Sequence, residues 1–270
     1  MQPTNQILLT KAKETLFITL YAKALDSRST RSILHDITAD AIVQQINYDF
    51  NKLPGFANNN IIVVRARQYD EWLKEYLDWH PNAVVLNLGC GLDTRIARIN
   101  PTANIRWFDL DFPEVIQLRQ RFFENKNGYT MIASPVTGLS WMKQLPTDRP
   151  AIIIAEGLLE YLTEDEVRTL LNRLTTFFPH GQLIFDVMSS FAIRSGRKKL
   201  METTGAVHKW AVDNLEEVDQ LDLRSTRISG LSVFQSQFVK ELPLGYRFLY
   251  GAMAAIPPLN NMLRLLRYEF

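Results

Sequence analysis

The spacing of hydrophobic residues changes character about a third of the way along the chain. Before that point, apolar positions recur every three or four residues, which is the period of an amphipathic α-helix. The helices predicted in this way cover residues 16–25, 33–50 and 61–79. Residues 52–60 concentrate Pro, Gly and Asn, so we predict a loop there. The pattern therefore predicts an N-terminal helical lid over residues 1–60 and a core from residue 61 to residue 270.

Beyond residue 80 the apolar residues gather into short, uninterrupted runs. These runs cover residues 83–88, 104–109, 129–133, 151–155 and 182–186. Strands without polar alternation are typical of a parallel sheet that is covered by helices on both faces. Between the runs we predict helices at residues 113–125 and 164–178, where Pro113 suits a first helical position and Thr163 with Glu166 suits a capping box. The fold class is thus α/β.

From residue 190 onward the pattern is less regular. A basic stretch at residues 194–199 precedes a predicted helix near residues 214–221 and a closing segment at residues 252–270. We predict that an insertion near residues 190–220 contributes to the substrate side of the core.

Composition and charge disfavour several classes of protein. With 30 Lys and Arg against 29 Asp and Glu, the formal net charge of +1 provides no broad field for nucleic acid or an anionic membrane. No apolar run approaches the roughly 20 residues that span a bilayer, and the first residues lack the features of a secretory signal, so we expect a cytoplasmic protein. One cysteine excludes disulfides within the chain, and the four histidines lack metal-binding spacing, so we expect no metal.

The strongest chemical signal is a glycine turn that directly follows the first predicted strand. At Gly89-Cys90-Gly91 the missing side chains let a ligand approach the backbone, and the next helix offers free N–H groups. Ligands of such sheets bind at the carboxyl ends of the strands. A dinucleotide fingerprint needs a third glycine where this chain has Thr94, so a nicotinamide cofactor is the less favoured interpretation.

Two acidic residues are predicted to lie at the same edge of the sheet. Asp111 follows the second strand, 20 residues after Gly91, where an acid can accept both hydroxyls of an adenosine ribose. Alternatively, Asp111 could cap the helix that begins at Pro113. Glu156 follows the fourth strand and precedes a glycine, so its carboxylate should emerge beside Asp111. Alternatively, Glu156 and Glu160 could cap or brace the next helix, which suits Glu160 better than Glu156.

Together these motifs resemble the leucine carboxyl methyltransferase family, particularly its bacterial O-methyltransferases of polyketide synthesis. The resembling segments are GCGLDTR, FDLDFPEVI and AEGLLEYL, in that order, within a match over about residues 61–171. The resemblance implies a class I, Rossmann-like methyltransferase fold with a mainly parallel seven-stranded sheet that ends in an antiparallel hairpin. It also implies S-adenosylmethionine as cofactor and methyl transfer to an oxygen of a small molecule.

The resemblance further implies roles for individual residues. Gly89 and Gly91 would line the methionine and ribose side of the cofactor, and Asp111 would hold the ribose hydroxyls. Glu156 would contact the cofactor near its amino-acid part. Arg65 would clamp the methionine carboxylate, which suits the planar fork of a guanidinium.

Two further positions concern the cofactor. A cysteine at a helix start can have a reactive thiol, but no histidine is near Cys90 in the sequence, and we interpret it as a small residue beneath the cofactor. Relatives usually place an acid after the third strand to meet the adenine amine, whereas residues 133–138 contain none. Adenine would then rely on Ser134 or on the backbone of Val136.

The acceptor and the catalytic residues stay open at this stage. A carboxylate acceptor would need no general base, whereas a hydroxyl acceptor would need one. Tyr161, His208 or a residue of the lid could be near enough to serve, and none of them is assigned. Two other functions remain as alternatives: a nicotinamide-dependent oxidoreductase, and a catalytically silent module that keeps the fold and binds a partner. The sequence does not indicate the oligomeric state.

Overall fold

The computed structural model describes residues 15–50, 53, 60–138, 140–221 and 224–270. The first 14 residues of the predicted lid therefore lie outside the described residues. So does the predicted loop at residues 52–60, apart from Leu53 and Asn60.

Seven described strands form one sheet. Their bounds are β1 Val84–Leu88, β2 Arg106–Asp111, β3 Tyr129–Ala133, β4 Ala151–Ala155, β5 Gly181–Met188, β6 Thr226–Ser232 and β7 Leu263–Glu269. The order across the sheet is β3-β2-β1-β4-β5-β7-β6. Strands β1 to β5 pair in parallel, whereas β7 runs antiparallel to both β5 and β6. The predicted α/β class, with a mainly parallel sheet and a closing antiparallel hairpin, is confirmed.

The strand order reverses at the centre of the sheet. From β1 the chain moves outward to β2 and β3, and it then crosses back to place β4 on the other side of β1. Both β1 and β4 are buried along their whole length, as their unbroken apolar runs require. A crevice opens at such a reversal beyond the carboxyl ends of the strands, and this is where open α/β sheets bind ligands.

Helices flank the sheet and precede it. Their bounds are α1 Thr15–Ser27, α2 Ile37–Gln45, α3 Asn60–Trp79, α4 Arg95–Ile99, α5 Pro113–Arg119, α6 Glu164–Phe177, α7 Ser190–Thr204, α8 Leu215–Asp219, α9 Leu244–Ala254 and α10 Pro257–Asn260. The capping box at α6 is confirmed, because Thr163 accepts from the Glu166 N–H while the Glu166 carboxylate accepts from the Thr163 N–H. None of the described helices has the length and apolar character needed to cross a bilayer.

Two predicted helices prove shorter in the structure. The helix predicted at residues 33–50 is only α2, because the Asp26 carboxylate accepts from the N–H groups of Ile33 and Leu34 and holds this segment in a turn. Asp36 then caps α2 by accepting from the Ala39 N–H at 2.9 Å. The helix predicted at residues 113–125 ends at Arg119 instead.

The second strand lies two residues later than predicted. Residues 104 and 105 precede β2, and the strand continues to Asp111, which pairs with Ala133 of β3. Asp111 is therefore the last residue of the strand, at the edge where the crevice opens.

The two N-terminal helices pack on the core through an apolar cluster of their own. Phe17 and Leu20 of α1 and Ile42 of α2 are buried in this cluster together with Leu92 and Leu118 from the sheet domain. Because Leu92 lies in the loop of the glycine turn, between β1 and α4, the cluster holds α1 against the crevice.

A buried ion pair supports the glycine turn from below. Arg119 at the end of α5 binds the Asp109 carboxylate, and both side chains are fully buried. Its Nη1 also donates to the carbonyl oxygen of Asp93 at 2.6 Å, and its Nε donates to the Tyr129 hydroxyl at 3.1 Å. The Arg119 guanidinium, which belongs to α5, therefore stabilises the loop of the glycine turn.

We expect Arg119→Met to lower the free energy of unfolding by about 3–5 kcal/mol, because it leaves the Asp109 carboxylate buried without its cation. Arg121→Met is the matched control, since Arg121 is exposed on the same segment and its loss should change stability by no more than about 0.5 kcal/mol. Urea unfolding followed by circular dichroism measures both. Equal stability of the two variants would contradict the prediction.

Candidate functional site

The glycine turn has the backbone conformation that its sequence predicts. Gly89 and Gly91 have φ angles of +61° and +50°, which side chains of L-residues disfavour. A Cβ atom on Gly89 would also lie 2.8 Å from Cδ1 of Leu158. Both steric reasons keep the turn narrow and free of side chains on the ligand side.

A cavity of about 600 Å³ lies at the carboxyl ends of β1, β2 and β4. Its wall includes the glycine turn, the ends of β2 and β4, one side of α1 and a segment at residues 205–209. Six of the seven predicted site residues line it: Arg65, Gly89, Cys90, Gly91, Asp111 and Glu156. A volume of this size is in the range of small-molecule sites.

The Asp111 carboxylate is fixed at one end of this cavity. Its Oδ2 accepts from the N–H of Gly91 at 2.7 Å, and its Oδ1 accepts from the N–H of Phe112 at 2.7 Å. The residue that caps α5 is Phe112. The Asp111 side chain therefore ties the end of β2 to the glycine turn.

Arg65 enters the cavity wall from α3. Its Nε donates to Oε1 of Glu156 at 3.1 Å, and its Nη1 donates to Oδ2 of Asp186 at 2.9 Å. Asp186 lies in β5, is fully buried and also accepts from the N–H of Gly157 at 2.9 Å. The guanidinium is thus clamped between two carboxylates, so its orientation is fixed.

Glu156 is held by a second arginine. Arg95 is buried and donates from Nη2 to Oε2 of Glu156 at 2.5 Å. Burial alone would raise the pKa of Glu156, but the positive charges of Lys23, Arg95 and Arg65 lower it to about 2. Glu156 is therefore ionised at neutral pH.

The ionic contacts extend from Glu156 to both N-terminal helices. Arg95 also pairs with Asp70 of α3 and with Asp93 of the glycine turn. Lys23 of α1 pairs with Asp93 at 2.7 Å. The N-cap residue of α2, Asp36, pairs with Arg98 of α4 at 2.6 Å. We call this set of side chains the ionic layer: Lys23, Asp36, Arg65, Asp70, Asp93, Arg95, Arg98, Glu156 and Asp186.

Sequence reasoning found only two members of the ionic layer, Arg65 and Glu156. Asp93 and Arg95 stand within the GCGLDTR motif, so the motif itself held a signal for them. Lys23 and Asp36 come from the N-terminal helices and have no such signal.

Of the two other predicted cofactor residues, Cys90 lies in the cavity wall and Val136 does not. Cys90 lines the cavity wall, and burial raises the pKa of its thiol well above the usual value, which argues against a reactive thiolate. Val136 begins a short 3₁₀ helix with its side chain buried, and its carbonyl oxygen accepts from Nε1 of Trp141 at 3.1 Å. Val136 is not among the described residues that line the cavity.

Glu160 also lines the cavity, whereas from the sequence we expected it to cap or brace the next helix, whose N-cap is Thr163. It lies in a 3₁₀ helix, Leu159–Tyr161, and is only 6% exposed. Its Oε2 has no hydrogen-bond partner among the described residues. Burial and the negative charge of Asp186 raise the pKa of Glu160 to about 8, while Arg65 opposes this change.

Comparison with known proteins identifies the class of enzyme. The family profile described as leucine carboxyl methyltransferase matches residues 6–175. Tetracenomycin polyketide synthesis O-methyltransferase TcmP of Streptomyces glaucescens is 36% identical to this chain, and the alignment covers 98% of each protein. The S-adenosyl-L-methionine-dependent methyltransferase dpfgK of Gibberella zeae is 30% identical, and that alignment covers 87% of this chain and 85% of dpfgK.

A solved structure shares the fold. The N-methyltransferase NodS of Bradyrhizobium japonicum, in complex with S-adenosylhomocysteine, superposes with a TM-score of 0.51 at 15% identity. The superposition covers 86% of this chain and 97% of NodS. At this identity the likeness supports the fold alone.

These findings confirm the enzyme class that the sequence predicts. The protein is an S-adenosylmethionine-dependent methyltransferase, and S-adenosylmethionine is its cofactor. Neither alternative, the nicotinamide-dependent oxidoreductase or the silent binding module, gains support from these relatives. With the family profile matched over residues 6–175 and a relative at 36% identity along almost its full length, the chain belongs to the leucine carboxyl methyltransferase family.

Proposed function

We propose that the cavity binds S-adenosylmethionine and that the enzyme transfers its methyl group to a carboxylate oxygen of a small molecule. The observation that carries this proposal is the convergence of six predicted cofactor residues on one cavity at the reversal of strand order. The family's description names a carboxyl methyltransferase, and TcmP's name places that relative in polyketide synthesis. A polyketide-like acid is therefore our preferred acceptor.

The residues present fit the two ends of this cofactor. The Asp111 carboxylate is ordered by two backbone N–H groups and suits the ribose hydroxyls, and the backbone of Gly89 and Gly91 lines the cavity without side chains of its own. At the other end, Nη2 of Arg65 has no acceptor among the described residues and is available to the methionine carboxylate. The ionised Glu156 offers a negative charge to the methionine ammonium.

When bound, S-adenosylmethionine supplies a methyl group on a sulfonium sulfur, which is an electrophile that a suitably placed oxygen displaces. The protein's part is to orient both reactants and to exclude water. The ionic layer supports this role, because it fixes Arg65 and Glu156 in one geometry before a ligand arrives.

The titratable side chains of the cavity favour a carboxylate acceptor. Asp93 and Glu156 are paired with cations, and Asp111 is engaged by backbone N–H groups. Burial raises the pKa values of Glu160 and Tyr161, so both are protonated at neutral pH. None of these described groups is therefore poised to deprotonate a hydroxyl, whereas a carboxylate brings its own negative charge.

A hydroxyl acceptor is the second candidate, and His208 is the observation that favours it. Its ring lies 5.1 Å from the Tyr161 ring, which lines the cavity, and burial lowers the pKa of His208. A neutral imidazole close to the cavity could act as a general base.

We further propose that the N-terminal helices form the lid over this site. The observations in favour are that Leu16, Thr19 and Lys23 of α1 line the cavity and that Lys23 contacts Asp93 of the glycine turn. Opening of α1 would break this ion pair and expose the cavity, and its closure would exclude water.

Calorimetric titration with S-adenosylhomocysteine tests the cofactor site. We expect Asp111→Ala to raise the dissociation constant by about tenfold or more, since a hydrogen bond to a charged group contributes roughly 1.5–3 kcal/mol. Asp111→Asn should lose less, because its amide oxygen keeps one acceptor. Asp165→Ala, on the exposed start of α6, is the matched control. An unchanged dissociation constant for Asp111→Ala would contradict the proposed role.

The stability of the product in alkali distinguishes the two acceptor classes. Methyl esters hydrolyse in alkali, whereas methyl ethers survive. We expect radiolabelled methyl groups to be transferred to naphthoic acid in preference to naphthol, and we expect alkali to release the label as methanol. A product that retains its label in alkali would instead establish a hydroxyl acceptor.

Hydrogen–deuterium exchange tests the lid. We expect bound S-adenosylhomocysteine to slow exchange in α1, and we expect Lys23→Met to accelerate it, because this variant removes the ion pair with Asp93. Lys74→Met, at an exposed position of α3, is the control and should exchange like the wild type. If neither ligand nor variant changes exchange in α1, the lid proposal is wrong.

A further inference from the structure

A residue in the wall of the proposed methyl-transfer site carries an unsatisfied carboxyl oxygen. Glu160 is only 6% exposed, and its Oε2 has no hydrogen-bond partner among the described residues. Buried polar atoms are almost always hydrogen-bonded, and one without a partner in a cavity wall is a candidate for contact with a ligand. The position of Glu160 in the cavity decides which ligand that is.

Glu160 follows β4, and Asp111 ends β2, so the two residues lie on opposite sides of β1. Tyr161 and the segment at residues 205–209 line the cavity together with Glu160. That segment is fixed to Glu160, whose carbonyl oxygen accepts from the N–H of Lys209 at 2.7 Å. With the cofactor placed between Asp111 and Arg65, the part of the cavity beside Glu160 is the space left for the methyl acceptor.

The charges around Glu160 decide its protonation. Burial comes first and the carboxylate of Asp186 second in raising its pKa to about 8, and the cation of Arg65 only partly opposes them. Below that pH the side chain is an uncharged acid that donates a hydrogen bond. The charged or titratable groups nearest to it, on β5, α3, its own helix and the neighbouring segment, are Asp186, Arg65, Tyr161, His208 and Lys209.

A neutral acid in this place complements an anionic acceptor. We propose that Glu160 determines acceptor specificity by donating a hydrogen bond from its carboxyl O–H to the carboxylate of the small molecule that is methylated. This inference rests on the proposed function. One acceptor oxygen forms a bond to the methyl carbon while the carbon–sulfur bond breaks and its electron pair stays on sulfur. No proton is transferred, so Glu160 keeps its proton throughout.

The role has a pH dependence of definite sign. Because Glu160 donates only when protonated, acceptor binding weakens as the pH rises through about 8, where the ionised side chain would repel a carboxylate. If Glu160 were a general base, the rate of methyl transfer would instead rise as the pH passes through about 8, since a base accepts a proton only when it is ionised.

Calorimetric titration of naphthoate into the enzyme loaded with S-adenosylhomocysteine tests the proposal without turnover. For the wild type we expect at least tenfold weaker binding above pH 8 than below it. Glu160→Gln, whose amide still donates, should bind well at both pH values and lose the dependence. Glu160→Leu should bind at least tenfold more weakly below pH 8. Glu216→Gln, at an exposed position of α8, should match the wild type.

Infrared spectroscopy gives an independent measurement that needs no acceptor. The wild type below pH 8 should show the C=O band of a buried carboxylic acid, which disappears above pH 8 and is absent from Glu160→Gln. Absence of this band, failure of naphthoate to bind the loaded enzyme, or equal naphthoate affinity in Glu160→Leu and wild type would each overturn the proposal. Failure of S-adenosylhomocysteine itself to bind would instead overturn the proposed cofactor site.

Discussion

The contacts of one buried guanidinium organise the whole site. Arg95 reaches Asp70 of α3, Asp93 of the glycine turn and Glu156 at the end of β4, so three separate elements meet at a single cation. A buried charge that loses its partner costs about 3–5 kcal/mol, which makes this meeting point hard to rearrange. Three parts of the cavity wall depend on Arg95: the segment after Gly91 and the end of β4 pair with it directly, and α1 is joined to it through the pair between Lys23 and Asp93.

Local sequence patterns predicted the parts of the fold that local forces determine. The bounds of β3 and β4 agree with the prediction, because an apolar run between turns has few other ways to be buried. By contrast, β6 was not located, since its sequence has only two large apolar residues, Ile228 and Leu231, and Ile228 is exposed. The length of α2 was also mispredicted, because the Asp26 carboxylate, several residues away, decides where the chain leaves the turn.

The same division applies to the candidate site. The glycine turn and Asp111 can be identified from residue type and spacing in the sequence, and both line the cavity. The ionic layer could not be identified in this way, because pairs such as Lys23 with Asp93 join positions 70 residues apart and depend on how α1 packs. Val136 was a candidate only because it lies in the segment after β3 that was expected to meet adenine. Its carbonyl oxygen instead accepts a hydrogen bond from Trp141 in the core. A sequence motif therefore predicts the residues that line the ligand site better than it predicts the distant residues that hold the motif in position.

The charge balance of the ionic layer also affects the rest of the cavity. Beyond the effect of burial, Asp186 is the one of its five carboxylates whose negative charge raises the pKa of Glu160, and of its four cations only Arg65 opposes this change. An additional buried carboxylate is therefore cheaper to keep protonated than ionised, and burial, followed by Asp186, drives Glu160 in that direction. The layer that orients Arg65 and Glu156 for the cofactor thus also helps to keep the Glu160 side chain uncharged. An anionic acceptor meets a hydrogen-bond donor there instead of a second negative charge.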